Sequence, residues 1–190
     1  MLHVVASECG VAQLGNVVYV LHRRSSIIKT FSVDTLSPLG EDIHVEGMRD
    51  PNDMVVSDRH LYVADLGHCI WRVSADDHSY VKWLSTTEES ALSVTSRGLL
   101  VTSLDSNSLR EYSTADKQLL RYVNLPEYVQ RLLHGVETLR GTFIISYMYL
   151  GTSQSEQKYA VSELFSCHHI SDRVLSRHLL GIPPMCPKVR

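Results

Sequence analysis

The side chains best suited to bind a metal ion stand together near the end of the sequence, at Cys167-His168-His169 and Asp172. Thiolate, imidazole and carboxylate groups are the usual zinc ligands in proteins. Adjacent residues of a strand point to opposite faces, however, so the two neighbouring histidines are not expected to reach one ion. His60 and His68 flank opposite ends of another short apolar run. We therefore predict no metal site and no bound cofactor.

The sequence also lacks the motifs of well-known catalytic mechanisms. It contains no Gly-x-Ser-x-Gly, no His-Glu-x-x-His, no phosphate-binding loop and no dinucleotide-binding fingerprint. We therefore predict no catalytic residue and favour a role other than that of an enzyme.

The composition is that of an ordinary globular protein. The chain has 190 residues, of which 44% are hydrophobic and 21% are charged, and its formal net charge is −3. These values predict a single folded domain over residues 1–190. They also predict no overall electrostatic field that would attract nucleic acid.

Signals for targeting and disulfide formation are weak. No apolar run approaches the roughly 20 residues that cross a bilayer, and the N-terminal stretch MLHVVASECG lacks the features of a signal peptide. The four cysteines, Cys9, Cys69, Cys167 and Cys186, are far apart and share no Cys-x-x-Cys spacing. We therefore expect buried, reduced thiols and a cytoplasmic protein.

The elements that must position any functional group are short β-strands. Within Asp50–Leu84, the runs Met54–Val56, Leu61–Ala64, Cys69–Val73 and Tyr80–Leu84 are separated by polar turn residues. Four β-prone runs with turn residues between them predict a four-stranded antiparallel meander.

This four-run unit recurs along the chain. Val20, Val63, Val101 and Ile145 occupy equivalent places in the second run of each copy, at spacings of 43, 38 and 44 residues. Propeller blades repeat at about 40 to 50 residues, and the short apolar runs do not show the 3.6-residue period of helical repeats. We predict an all-β fold, a β-propeller with about four four-stranded blades. The blades are expected at residues 11–47, 51–84, 89–124 and 128–180.

The second runs also indicate how the sheets pack. Val17–Leu21 and Thr142–Ile145 are almost continuously apolar, whereas outer runs such as Tyr80–Leu84 carry a cation. A strand is apolar on both sides when both faces of its sheet are covered, which is the situation of a blade between two neighbours. A two-sheet sandwich would not explain the four-run unit. The indoles of Trp71 and Trp83 are expected to pack between blades rather than to form a ligand cage.

Residues Asp50–Val73 resemble the NHL repeat. Pro51 stands at the entry, Val55-Val56 forms the first strand, and Leu61-Tyr62-Val63-Ala64-Asp65 is followed by a polar turn that contains His68. The resemblance implies a six-bladed propeller of the TolB-like kind. Gluconolactonase-like and strictosidine-synthase-like propellers match nearly as well.

The length of the chain allows fewer blades than this resemblance implies. At about 40 to 45 residues per blade, 190 residues supply just over four blades, and Gly181–Pro187 does not form a fifth unit. We therefore expect a partial, open propeller. An open arc exposes the apolar faces of its two terminal blades, through which the chain could self-associate.

In a propeller, the loops that join second to third strands share one face with the connections between blades. We expect these ten residues on that face: His22, Arg23, Arg24, Asn52, Asp65, His68, Asn107, Tyr128, Arg131 and Tyr149. The carboxylate of Asp65 is expected to accept backbone N–H bonds in a hairpin turn rather than to contact a ligand. Asp50, Asp53, Asp65 and Asp105 are expected to dilute the positive charge of this face.

A face of mixed charge favours another protein as the partner. RNA binding needs a basic field and accessible stacking groups. Our leading interpretation is a non-enzymatic binding or scaffold module that displays loops of the propeller face to a macromolecular partner. The first alternative is a gluconolactonase- or lyase-like enzyme with a divalent cation in the central channel, although no matched set of ligands converges from several blades. The second alternative is an RNA-binding NHL propeller.

Overall fold

The computed structural model describes residues 8–86, 88, 90–103, 108–125, 130–137, 142–149, 159–166 and 176–179. The regular structure of these residues consists of β-strands. The strands form four antiparallel sheets, and each sheet contains four strands that are consecutive in the chain. We call these sheets blades 1 to 4.

The strand bounds are as follows. Blade 1 contains β1 (Glu8–Leu14), β2 (Val17–His22), β3 (Ile27–Ser32) and β4 (Ile43–His44). Blade 2 contains β5 (Pro51–Ser57), β6 (His60–Asp65), β7 (Cys69–Ser74) and β8 (Tyr80–Ser85). Blade 3 contains β9 (Ser90–Val94), β10 (Leu99–Ser103), β11 (Ser108–Tyr112) and β12 (Leu119–Asn124). Blade 4 contains β13 (Gln130–Glu137), β14 (Thr142–Tyr149), β15 (Tyr159–Ser166) and β16 (Ser176–Leu179).

The blades follow one another around an arc. The first strands contact one another in sequence, β1 with β5, β5 with β9, and β9 with β13. Within the described residues, no comparable contact joins β1 to β13. The prediction of about four four-stranded blades in an open, radial arrangement is therefore confirmed.

The hydrophobic cores lie between the blades. In β6, Leu61 and Val63 pack in a cluster with blade 1, whereas Tyr62 and Ala64 pack in a second cluster with blade 3. Successive side chains of a strand point to opposite faces. The whole of β6 after His60 is therefore buried, and its apolar residues do not need to alternate with polar ones.

The two tryptophans fill these interfaces as predicted. Trp71 lies in the cluster between blades 1 and 2, and Trp83 lies in the cluster between blades 2 and 3. The Trp83 ring contacts the rings of Tyr62 and Tyr112 edge-on, with centroids 5.1 and 6.2 Å apart. Such edge-to-face pairs add to the stabilisation from buried area.

Strand β2 departs from the expectation of burial on both faces. Tyr19 and Leu21 are buried towards blade 2, whereas Val18 and Val20 on the other face stay partly exposed. Blade 1 is the first of the described blades, so its outer face has no neighbouring blade there. Val11 on the adjacent strand is 62% exposed on the same face.

A network of ion pairs joins blades 3 and 4 at the edge opposite the blade-to-blade connections. The Glu111 carboxylate is fully buried and accepts hydrogen bonds from Thr95 Oγ1, Arg97 Nη2 and Arg121 Nε at 2.5, 2.6 and 3.0 Å. Arg121 extends the network to Glu137 Oε1 at 2.8 Å. Its guanidinium also lies over a Phe143 ring, 4.3 Å from the ring centroid. Charged residues therefore replace part of the apolar packing at this interface.

The contribution of Glu137 to stability is expected to depend on pH. Burial alone would raise its pKa, but hydrogen bonds from Arg121 and Ser96 outweigh burial, and the pKa lies below its ordinary value of 4.5. A carboxyl with a lowered pKa in the folded state stabilises the fold above its unfolded pKa, and this contribution is lost as the pH falls through the folded value. Urea unfolding of the wild type and of Glu137→Gln should give a free-energy difference that is constant near neutral pH and shrinks in acid. A difference that grows on acidification would contradict this assignment.

Candidate functional site

Several of the predicted partner-binding residues lie at one edge of the described blades. We call this edge the loop face and define it by the β2–β3 hairpin (residues 23–26), the β6–β7 hairpin (66–68), the connection 45–50 and Thr86. Arg23 and Arg24 are exposed in the first hairpin, after the partly buried His22, and His68 is exposed in the second. These four sites lie where the sequence placed them.

The buried carboxylate of Asp65 bonds β6 to the connection 45–50 beneath the loop face. Its carboxylate accepts hydrogen bonds from the backbone N–H of Asp50 at 2.7 Å, the backbone N–H of Arg49 at 3.2 Å and the indole N–H of Trp71 at 3.1 Å. Asp65 is the last residue of β6 and is only 1% exposed. Asp65 accepts backbone N–H bonds as expected, but the donors belong to the connection 45–50 rather than to a hairpin turn, and burial removes Asp65 from the contact surface.

Further backbone hydrogen bonds fix the loops relative to one another. The N–H of Leu66 donates to the Asp50 carbonyl at 3.0 Å, and the N–H of Val45 donates to the Ser26 carbonyl at 2.9 Å. Both hairpins are therefore bonded to the connection 45–50. The loop face is preorganised rather than assembled from independent loops.

Asn52 and Asp53 lie at a bulge of β5 and bind blade 3 instead of facing a partner. Asp53 accepts the backbone N–H of Leu92 at 2.7 Å, and the Asn52 amide nitrogen lies 3.4 Å from the Ser90 carbonyl oxygen. The Asp53 carboxylate is therefore bonded at the junction with blade 3 and is only partly exposed. Asn52 remains only partly exposed.

The other four predicted residues are placed less completely. Arg131 was assigned to a loop but is the second residue of β13, and Tyr149 is the last residue of β14, paired with Tyr159. Both assignments to loops were wrong because the strands of blade 4 extend beyond their apolar runs. The side chains of these two residues are not described. Asn107 and Tyr128 lie outside the described residues.

The two edges of the described blades differ in charge. The charged residues of the loop face and its adjoining groove are Arg23, Arg24, Arg49, Lys82, Arg110, Glu46, Asp50 and Glu88. Those of the turns at the opposite edge are Asp34, Asp58, Asp76, Asp77, Asp116, Arg59, Arg97 and Lys117. Cations outnumber carboxylates at the loop face, and carboxylates outnumber cations opposite. The two edges of the described blades therefore differ in charge although the net charge of the chain is small.

Hydrogen bonds favour the ionised form of two neighbouring carboxylates at the opposite edge, Asp76 and Asp77. Hydrogen bonds from Ser74 and Ser79 lower the pKa of Asp77 to about 2. The hydrogen bonds and charge of Arg59 lower the pKa of Asp76. The lowered pKa values of Asp76 and Asp77 therefore add to the contrast in charge with the loop face.

Sequence reasoning missed Arg49 and the groove residues Lys82 and Arg110. Arg49 immediately precedes the Asp50-Pro51 turn, so its place in a blade-to-blade connection could have been recognised. Lys82 lies on β8 and Arg110 lies on β11, and only the packing of blade 2 on blade 3 brings them to one groove. No pattern within either strand signals that proximity.

The described part of the chain contains neither a cluster of metal ligands nor an exposed reactive thiol. There, no three His, Cys, Asp or Glu side chains lie close enough together to hold a metal ion. The Cys167–His169 stretch and Asp172 fall outside this part. Cys69 is a buried free thiol, and burial, aided by the nearby Asp65 carboxylate, raises its pKa to about 11. Such a thiol is largely protonated and unreactive at neutral pH.

Comparison with solved structures identifies the fold. The chain is similar to the β-propeller domain of Cps50 (Swd1) from Myceliophteria thermophila, with a TM-score of 0.58 and 8% identity over 83% of this chain and 68% of that one. It is also similar to the WD40 domain of Neurospora crassa Pan2, with a TM-score of 0.61 and 12% identity over 80% of this chain and 46% of that one. The fold is a β-propeller.

The chain is also similar to a solved structure of an enzyme. Kuenenia stuttgartiensis hydrazine synthase matches with a TM-score of 0.67 and 14% identity, over 91% of this chain and 54% of that one. This chain thus spans about half the length of that protein and of the Pan2 domain. No protein-family model and no curated protein sequence matches it. The model also contains no helix of the length and apolarity that a membrane span requires, as far as the described residues extend.

Proposed function

We propose that this propeller is a non-enzymatic binding module that presents its loop face to a partner protein. The observation that carries the proposal is the preorganised, exposed, charged surface formed by the two hairpins and the connection 45–50. The Asp65 carboxylate and the hydrogen bonds between these loops restrict their motion before binding. A preordered surface loses less conformational entropy when a partner binds.

The charge and the exposed groups of the loop face favour protein over RNA. Arg23, Arg24 and Arg49 are exposed, but the aromatic rings of Trp71 and Trp83 beneath are buried. Within the described loop-face segments, the imidazole of His68 is the one exposed aromatic ring, and no Phe, Tyr or Trp ring accompanies these cations. Single-stranded RNA is bound largely by stacking on such rings, whereas an acidic protein surface needs only the cations.

The finer family assignment is part of the same proposal. The NHL-like features of Asp50–Val73, in particular the turn residue Asp65 and the buried Val63, support an NHL-like, TolB-like unit whose parent propeller has six blades. The partly exposed Val18 and Val20 support self-association through the outer face of blade 1. The buried free thiol of Cys69 supports a cytoplasmic protein.

Site-specific photo-crosslinking tests the binding proposal. A benzophenone amino acid is placed on the loop face, in place of Arg24 or His68, and at the opposite edge, in place of Thr35 or Lys117. We expect the loop-face positions to capture one and the same protein, which is then purified and titrated against the chain. Charge reversal at Arg23 and Arg24 should weaken that titrated binding, and Lys117→Glu should not. Capture of the same protein equally from both edges would contradict a binding role specific to the loop face.

A further inference from the structure

Each blade turns one side towards the blade before it and the other side towards the blade after it, and we call these its preceding and its following side. On the preceding side, a cross-strand pair joins the first strand to the second at equivalent places in the four blades. These pairs are Val11–Val20, Met54–Val63, Leu92–Val101 and Gly135–Ile145. Blades 2, 3 and 4 each pack this side on the blade before it. Among the described residues, no blade precedes blade 1.

The burial of this pair differs between blade 1 and the other blades. Met54 is 3% exposed and Leu92 is 1% exposed, whereas Val11 is 62% exposed. Val20 is partly exposed, although Val63 at the equivalent place is fully buried. The preceding side of blade 1, which is its outer face, therefore carries the apolar residues of a blade junction with no described blade against them.

Blade 4 presents the complementary side, also without a described neighbour. Gly135 packs closely on blade 3, since a Cβ added there would lie 3.2 Å from Thr102 Cγ2. Its neighbour Val136 points to the other face of the sheet, the following side, and pairs there with Ile144. Val136 is 42% exposed and Ile144 is partly exposed. The following side of blade 4 is thus an apolar surface as well.

The internal junctions show which places meet. Each contains, in one apolar cluster, a residue of the preceding side and a residue that holds in its own blade the place of Val136. These cluster partners are Met54 with Ala12 between blades 1 and 2, and Leu92 with Val55 between blades 2 and 3. Val11 is the equivalent of Met54. A further junction of this kind therefore brings Val11 against Val136.

A lysine on the same face is compatible with such a junction. Lys29 pairs with Val20 on the preceding side of blade 1 and is exposed. Arg110 holds the equivalent place in blade 3, beside the buried Val101 at the junction with blade 2. Its guanidinium carbon lies 6.0 Å from the ring centroid of Tyr122, on the outermost strand of the blade. A cation in the outer part of a blade thus does not prevent the inner strands from packing.

We propose that the outer face of blade 1 binds the following side of blade 4 in a second copy of this chain, with Val11 of one copy against Val136 of the other. The inference rests on the self-association in the proposed function and names the two faces that meet. A second copy fits because the chain itself carries both halves of the junction, in the arrangement that its internal junctions repeat.

The contact joins unlike faces, so it either closes a ring or continues from copy to copy. Two chains of four blades supply eight blades. This number lies within the range of about four to eight blades found in propellers. We therefore infer a ring of two chains, held by two copies of the same junction.

Sedimentation equilibrium of the purified chain tests this inference, and we expect a concentration-dependent dimer. Val11→Glu and Val136→Glu should each weaken dimerisation by more than about tenfold, because a carboxylate is costly to bury in an apolar contact. Val81→Glu is the matched control, because Val81 is 46% exposed on β8 of blade 2 and lies on neither terminal face. It should leave the dimer unchanged. Circular dichroism checks that each variant is folded, as expected for changes at exposed positions.

A mixture of the two variants identifies which faces meet. A Val11→Glu chain keeps its blade 4 face, and a Val136→Glu chain keeps its blade 1 face. One unaltered junction therefore remains when the two are combined. With a fluorophore on one variant, we expect the equimolar mixture to associate more tightly than either variant alone. A dimer built from two blade 1 faces would show no such recovery.

Four outcomes would overturn the inference. Wild-type dimerisation of Val136→Glu together with loss in Val11→Glu would indicate contact between two blade 1 faces, in which case the proposed self-association stands and only the pairing fails. A mixture without recovery would exclude the pairing in the same way. A series of masses above the dimer would exclude a ring of two chains. A monomer at the highest attainable concentration would refute both the pairing and the self-association, whereas loop-face binding is decided separately by crosslinking.

Discussion

The Glu111→Ala variant is expected to lose about 3 to 5 kcal/mol of its free energy of unfolding, the cost of removing one partner of a buried ion pair. Glu111 is fully buried, and Arg121 is only 11% exposed. Removing the carboxylate leaves the Arg121 guanidinium in a low-dielectric interface with Glu137 as its remaining described anion. It also removes the acceptor of the Thr95 hydroxyl. Urea unfolding monitored by circular dichroism measures the loss.

A triple variant distinguishes pairing from packing at this interface. Replacing Glu111 and Arg121 by leucine and Glu137 by glutamine together removes the buried charges of the network, including the partner of Arg121, and should recover a large part of the loss, because buried ion pairs are often no more stabilising than apolar residues of similar volume. Glu41→Ala, at an exposed residue of blade 1, should change stability by less than about 0.5 kcal/mol. A Glu111→Ala effect as small as that of Glu41→Ala would show that the network does not stabilise the junction between blades 3 and 4.

Replacing Asp65 by asparagine is expected to destabilise the protein by about 2 to 4 kcal/mol, because charge-assisted hydrogen bonds to buried groups are lost. Asparagine matches the shape of aspartate, but one of its two terminal atoms is an NH₂ donor. The N–H groups of Arg49, Asp50 and Trp71 all point at this carboxylate, so an amide cannot satisfy all of them. At least one buried donor is then left without an acceptor.

The Asp65→Asn variant should also weaken partner binding. The connection 45–50 loses an anchor, so the exposed Arg49 and its neighbours become less ordered before binding. Asp34→Asn is the matched control, because Asp34 is exposed in a turn of the opposite edge and the same chemical change should have little effect there. Wild-type unfolding and crosslinking behaviour of Asp65→Asn would refute the anchoring role.

The blades could be predicted because each one is local in sequence. Every strand of a blade pairs with the next strand along the chain, so turn residues and apolar runs within some 40 residues contain the pattern. Strand β6 shows this most clearly, since its continuous apolarity reflects one cluster on each side. The same reasoning placed Arg23, Arg24 and His68 at one edge.

Contacts between blades could not be predicted in the same way. The hydrogen bond from the Leu92 N–H to Asp53 and the pairing of Arg121 with Glu137 each depend on how far one sheet is rotated against the next. Sequence periodicity does not encode that angle. Charge counts along the chain also included Asp65, although its carboxylate is buried beneath the loop face.

Strand ends were the other source of error. The hydrogen-bonded pairing of β14 with β15 extends to Tyr149 and Tyr159, past the last residues of the apolar run. Backbone pairing can continue through polar residues as long as the two strands remain adjacent. The end of an apolar run in the sequence therefore does not mark the end of the hydrogen-bonded strand.

The two apolar clusters lie between blades rather than inside any single blade. Because Val63 and Trp71 pack on blade 1 and Tyr62 and Trp83 pack on blade 3, an isolated blade would consist of a sheet with two bare sides and no interior. Cooperative unfolding is therefore expected to depend on the interfaces between blades, as in other repeat arrays whose stability is a sum over neighbouring units.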